Sequence, residues 1–237
     1  MSVRVVAKRE FASLFRTPIG FLLIGVTLLL NALQLNAVAM GTGDRPSTVV
    51  LETFLLNAAF VTEVLAVVLS TRLVLAPTSS PLLLSAPVRP WTLALGGYLA
   101  SLSFLAIATL ASLYLPALIL AYGKVSLGHV AAGYAGTLLV GAACLGIGAA
   151  VASGTRHPIV ALVTTATIIG VFELSFYVAG VASLEWRPWL RALAPVWNHH
   201  ESFRRGIVQL SDVVYLLSVA AVGVYAAGRS IGERRQR

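Results

Sequence analysis

The sequence predicts an all-α polytopic membrane protein, and three observations predict it. Only 11% of the 237 residues are charged while 58% are hydrophobic. Soluble domains carry about 25% charged residues, so this chain has too few to clothe a water-facing globule. Six apolar runs are each long enough, at about 1.5 Å per residue, to cross a hydrocarbon layer of about 30 Å as a helix. Cys144 is alone and glycine has no triplet period, so a disulfide scaffold and a collagenous chain are excluded, and the apolar content excludes a disordered one. The connections between the runs are too short for a second domain. Residues 1–237 are therefore expected to form a single transmembrane domain, with 1–17 an N-terminal interfacial amphipathic helix, 18–228 the six-helix bundle and 229–237 a cytoplasmic tail.

In residues 3–16, at 100° per residue, Val3, Ala7, Phe11, Leu14 and Phe15 gather on one side and Lys8, Arg9 and Arg16 on another, with Arg4 breaking the stripe. This predicts a helix lying along the inner leaflet, with its apolar side in the acyl boundary and its cations at anionic headgroups. A plain basic flank is the alternative. The first run, Ile19–Met40, has cations before it and Ala37-Val38-Ala39 near its end, as a secretion signal would. Its apolar stretch exceeds the roughly 7–15 residues of such a signal, so a retained helix is expected. The second run is Val49–Leu75. The third, Leu93–Tyr122, contains Pro116, whose missing N–H predicts a bent or broken end.

The fourth run, Val130–Ala152, leads into Gly154 and places Ala142, Gly146, Ala150 and Gly154 at four-residue spacing, with Gly133, Thr137 and Gly141 on a neighbouring row. Small residues let two backbones approach closely, which predicts a tightly packed helix, its partner being in the same chain or in another subunit. The fifth run is Ile159–Ser183 and the sixth Ile207–Ala227.

Formal charge is +8. With a cytoplasmic N-terminus, the inner segments hold Arg4, Lys8, Arg9, Arg16, Arg72, Arg89, Arg156, Arg229, Arg234, Arg235 and Arg237. The outer ones hold Arg45, Lys124, Arg187, Arg191, Arg204 and Arg205. That bias places both termini inside, and in such a chain the excess faces anionic lipid rather than nucleic acid. The outer connection Leu184–Gly206 also carries Trp186, Trp189 and Trp197, so it is expected at the outer interface or dipping into it. His199, His200 and Glu201 are adjacent but would project apart on a helix, and no other His or Cys group stands nearby in sequence. No metal site is expected.

Glu63 in the second run and Glu173 in the fifth stand where a carboxylate costs several kcal/mol and usually turns toward a cavity or a partner. With Asn57 they are candidate transport-path residues. The structural alternative is that each is neutral, or bonded to Asn57 or Thr62 as helix glue. Arg72, at a membrane edge, reads as a snorkelling anchor. The sequence contains no G-x-x-x-x-G-K-[ST], no G-x-S-x-G, no H-E-x-x-H and no Cys pair. The chain is therefore not expected to be an enzyme, no catalytic residue is assigned, and any nucleotide energy must come from another polypeptide.

Three stretches carry a family likeness. Lys8-Arg9-Glu10-Phe11 through Phe15-Arg16-Thr17-Pro18-Ile19-Gly20 opens the chain, and Leu82-Leu83-Leu84-Ser85-Ala86-Pro87-Val88 precedes the third run. Asn198-His199-His200-Glu201-Ser202-Phe203-Arg204-Arg205-Gly206-Ile207-Val208-Gln209-Leu210-Ser211-Asp212-Val213-Val214-Tyr215 leads into the sixth. With six spans, these resemble the permease subunit of type-2 ABC exporters along nearly the whole chain. The closest branch is that of the gliding-motility permease and the permease of nitrous-oxide-reductase maturation.

The resemblance implies a permease of an ATP-driven exporter in a prokaryotic plasma (inner) membrane. It implies a pairing with a second permease subunit, identical or homologous, and with two copies of an ABC ATPase that holds ATP and Mg. It places ATPase coupling at Arg72, Ser79, Ser80, Leu84, Pro87 and Arg89. The family's charged run ahead of L-L-L-x-x-P-V is replaced here by Leu73–Pro81, L-V-L-A-P-T-S-S-P. That points to an asymmetric pair, in which a second permease or a differently grooved ATPase carries the stronger coupling contact. The alternatives in other classes are a non-transporting scaffold of an envelope complex and an ion-coupled secondary carrier.

Overall fold

The computed structural model describes residues 2–41, 45–78, 89–181, 183 and 185–236. They are helical, with no strand among the described residues. Six helices are long and apolar enough to cross a membrane: Pro18–Met40, Ser47–Leu73, Pro90–Tyr122, Leu127–Gly154, Pro158–Val181 and Leu210–Glu233. The chain is a multi-pass membrane protein by this measure, and these are the first to sixth spans below.

Local chemistry sets the span edges. Pro18, Pro90 and Pro158 stand at helix starts, where a missing N–H costs nothing. Ser126 caps the fourth span by accepting the His129 N–H at 3.2 Å. The first span ends in a π-helical turn, Leu35–Met40. The Arg45 guanidinium closes it by donating to the carbonyls of Val38 (3.0 Å) and Ala39 (3.4 Å), which the helix leaves unpaired. The third span is broken: Pro90–Ala111 stops, and Tyr114–Tyr122 restarts. Pro116 cannot donate to Ser112, and its ring crowds that carbonyl. The Ser112 hydroxyl bonds the Thr109 carbonyl at 2.7 Å and the Tyr134 hydroxyl at 2.9 Å.

Two edges differ from the sequence expectation. Ile207–Gln209 are apolar enough to read as span, but they lie outside any helix, because the short helix Glu201–Arg204 ends on Gly206 with φ 80°. Ile207 N–H bonds Ser202 O and Gly206 N–H bonds Phe203 O, a Schellman stop that requires a left-handed residue. At the other end the helix runs on to Gln236, past the expected edge at Ala227, so residues 229–236 are helical.

The fourth span is the central post. It packs most extensively on the sixth and second, and also on the third and fifth. The first span is the least enclosed. Small residues explain the centrality. A Cβ on Gly146 would lie 2.7 Å from the Ala220 Cα, and Gly223 abuts the Gly146 backbone in return. Gly141 admits Leu105 and Thr62, Gly148 admits Ser70, Gly133 admits Leu55 and Gly136 admits Phe203. The N-terminal helix Val3–Phe15 lies against the third span. Val6 fits onto Gly96, Val6 and Leu14 are buried, and the Phe15 ring sits 5.4 Å from Phe104. Arg4, Lys8, Arg9 and Arg16 are exposed.

The N-terminal helix, through Val6 on Gly96, and the end of the sixth span, through Gly228 on Trp91, share one end of the bundle, here the tail end. The opposite, cap end carries residues 183 and 185–209.

Candidate functional site

The cap end is built by a short helix, Arg187–Leu193, a π-helical turn, Pro195–His199, and the helix Glu201–Arg204. These elements are fastened to three spans. Arg187 Nε donates to the Ala179 carbonyl at 3.1 Å and Ser175 Oγ to the Leu190 carbonyl at 2.8 Å, both on the fifth span. His199 Nδ1 lies 3.0 Å from Asp212 Oδ1 and its Nε2 2.9 Å from the Ala192 carbonyl oxygen. Its ring stacks on Tyr215 at 3.8 Å. Ser202 Oγ donates to the other Asp212 oxygen, and Tyr215 donates to the Leu193 carbonyl, which ties the cap to the sixth span. His200 Nε2 meets Thr137 Oγ1 at 3.1 Å, and His129 Nε2 donates to the Arg204 carbonyl at 2.6 Å, both on the fourth span.

His200 is fully enclosed. Burial lowers its pKa from the ordinary 6.5 to about 4, with the Gly133 carbonyl opposing the shift and the Arg204 charge adding to it. His199 and His200 thus face different partners and do not converge as a ligand set. Among the described residues no group of three His, Cys, Asp or Glu could hold a metal.

From the cap, Trp197 reaches into the bundle. Its ring stacks on Phe176 at 5.4 Å and meets Phe60 and Tyr177 edge-on at 5.6 Å each. Phe60 belongs to the second span and Phe176 and Tyr177 to the fifth, so one indole bridges the two helices. Glu63 follows Phe60 by three residues and Glu173 precedes Phe176 by three. Because the two spans run in opposite directions, both carboxylates lie about one turn, some 4.5 Å, on the tail side of the aromatic layer. They are near enough to interact electrostatically with each other and with the Cys144 thiol.

Their hydrogen bonds bear on one of the sequence alternatives, bonding to Asn57 or Thr62. Neither Asn57 nor Thr62 serves them: Thr62 Oγ1 pairs with Thr109 Oγ1 at 3.4 Å, and Asn57 Nδ2 is buried without a partner. Glu173 Oε1 instead accepts the Val196 N–H of the cap at 2.9 Å. Its Oε2 and Glu63 Oε1 are buried and unpartnered. The long-range partner Val196 has no local signal in sequence. The aromatic layer has a faint one, the mirrored F-x-x-E at Phe60–Glu63 and E-x-x-F at Glu173–Phe176.

Arg72 is half-buried and Arg89 exposed, on either side of the connection at the tail end. Ser79, Ser80, Leu84 and Pro87 lie outside the described residues. Of the small-residue row, Gly146 crosses the sixth span within this chain, the Ala142 carbonyl accepts the Tyr98 hydroxyl at 2.9 Å, Ala150 is half-buried, and Gly154 has open space around it. No protein-family model and no curated protein matches the chain.

Proposed function

We propose that this chain is the membrane-spanning permease subunit of an ATP-driven ABC exporter of the type-2 class, with both termini on the cytoplasmic face of a prokaryotic inner membrane. It works as a dimer, with an identical or homologous permease, beside two ATPase subunits that bind ATP and Mg. The observation that carries the reading is a pair of buried carboxylates with free oxygens between two spans, in a chain without a phosphate loop. Such a pair is expensive to maintain as structure alone. The likeness of three stretches to the type-2 permeases supplies the class.

The second and third spans flank residues 79–88, so a push from the ATPases on Ala76–Pro90 shifts the second span against the fifth. That movement parts Phe60 from Trp197 and Glu63 from Glu173. Cargo contacts matter to turnover only where they differ between the closed and parted arrangements.

The test is to copurify the chain with its ATPase and replace Arg72, Ser80, Leu84 and Arg89. Loss of ATPase stimulation is the expected result. Stimulation surviving all four changes would remove this segment from coupling.

One observation favours the scaffold reading, namely the fastening of the cap to three spans, which resists opening at that end. ATPase activity indifferent to Glu63→Gln and Glu173→Gln would decide for it.

A further inference from the structure

Glu63 and Glu173 lie beneath the aromatic layer of Phe60, Trp197, Phe176 and Tyr177, and no ion pair answers either carboxyl group among the described residues. Glu63 is 5% exposed and makes no hydrogen bond, while Glu173 takes the Val196 N–H on Oε1, with the Trp197 backbone N–H also near the carboxyl group, and its Oε2 has no hydrogen-bond partner. A buried carboxylate oxygen without a partner is costly, and a positive group between the two spans satisfies both. A shared proton would answer the charge alone; a cation seated under the rings would also meet their faces.

Ring faces attract cations, most strongly those that are large and weakly hydrated. Phe176 already carries one, the Arg191 guanidinium of the cap, 5.8 Å from the ring centroid. Small hard cations want about six to eight oxygen ligands, and this layer offers two carboxylates. The surroundings are apolar: Ala59 and Ala66, one turn either side of Glu63, are fully enclosed.

We propose that the Glu63–Glu173 pair, under the Phe60–Trp197–Phe176 layer, binds an organic cation: an ammonium-like or phosphonium-like centre with apolar substituents. Naming it as cargo rests on the permease reading; the binding itself does not.

The test uses the purified full chain in zwitterionic nanodiscs, without any ATPase, and tetraphenylphosphonium as probe. Tetraphenylborate, of the same shape and opposite charge, is the competitor. Saturable phosphonium binding is expected, weakened at least about tenfold by Glu63→Gln and by Glu173→Gln, and by about threefold or more by Trp197→Leu. Tetraphenylborate should not displace it. Absence of saturable binding, indifference to both glutamate changes, or equal displacement by the borate overturns the proposal.

Should the variants fail to fold, the unsubstituted chain still decides. Phosphonium, and not borate, should slow modification of Glu63 by an apolar carbodiimide, and an unchanged rate at saturating phosphonium sinks the site. A chain that binds the cation but stimulates no ATPase keeps the site and loses the permease reading. The reverse pattern loses the site alone.

Discussion

At the cap, most polar side chains have partners; about one turn deeper, the carboxylates largely lack them. Asp212 receives His199 and Ser202, Ser175 reaches Leu190, and Thr137 meets His200. His200 Nδ1 and Arg204 Nε are the exceptions. Glu63 has no hydrogen bond and Glu173 has a free oxygen. A satisfied buried network rigidifies and specifies a fold, whereas an unsatisfied group is maintained at a cost to stability and invites a ligand. The difference separates a structural plug from a working layer, and substitutions on the two sides should behave oppositely.

The largest effect expected is one of pH at the cap. His200 titrates at about 4 when folded and 6.5 when unfolded. Between those values the unfolded chain holds a proton that the folded chain does not. Stability is therefore full above pH 6.5, falls as pH drops toward 4 and levels off below, by about 3 kcal/mol in all. Thermal unfolding in detergent across that window should show the loss, and His200→Gln should flatten it.

Next comes the crossing of the fourth and sixth spans. Gly146→Ala puts a methyl against the Ala220 backbone and should cost about 1–3 kcal/mol. Gly154→Ala, in open space, should stay within about 0.5 kcal/mol. The pair is compared by unfolding temperature. Asp212→Asn, which takes the charge from the His199 and Ser202 bonds, should cost about 1–2 kcal/mol. The smallest stability change belongs to the other region. Glu63→Gln should move stability by less than about 0.5 kcal/mol or raise it, because it replaces a buried carboxyl group that has no hydrogen-bond partner to lose. A loss as large as that of Asp212→Asn would erase the contrast between the two regions.

Sequence reveals these features unequally. Six apolar runs gave six spans because crossing a membrane is a matter of length and composition. Pro116 marked the break in the third span because proline acts on its own helix. Local geometry also explains the misplaced edge at Ile207–Gln209: hydropathy registers those residues as span, and only the left-handed Gly206 and its Schellman bonds stop the helix there. The partners of the buried groups were not legible. Val196 reaches Glu173, and Thr137 reaches His200, through contacts between distant parts of the chain that no periodicity encodes. Asn57 and Thr62 were the near polar residues, and the fold gave them other surroundings. The nearness of Glu63 to Glu173 likewise follows from the packing of the second and fifth spans, which apolar runs leave undetermined.

ATP hydrolysis by the copurified ATPase, measured with the unsubstituted chain and with the Glu63→Gln/Glu173→Gln double variant at equal folded fraction, addresses the central claim most directly. The account predicts that the double variant stays folded, remains bound to the ATPase and loses the permease-dependent part of the hydrolysis rate. A folded double variant that stimulates hydrolysis as fully as the unsubstituted chain would contradict it.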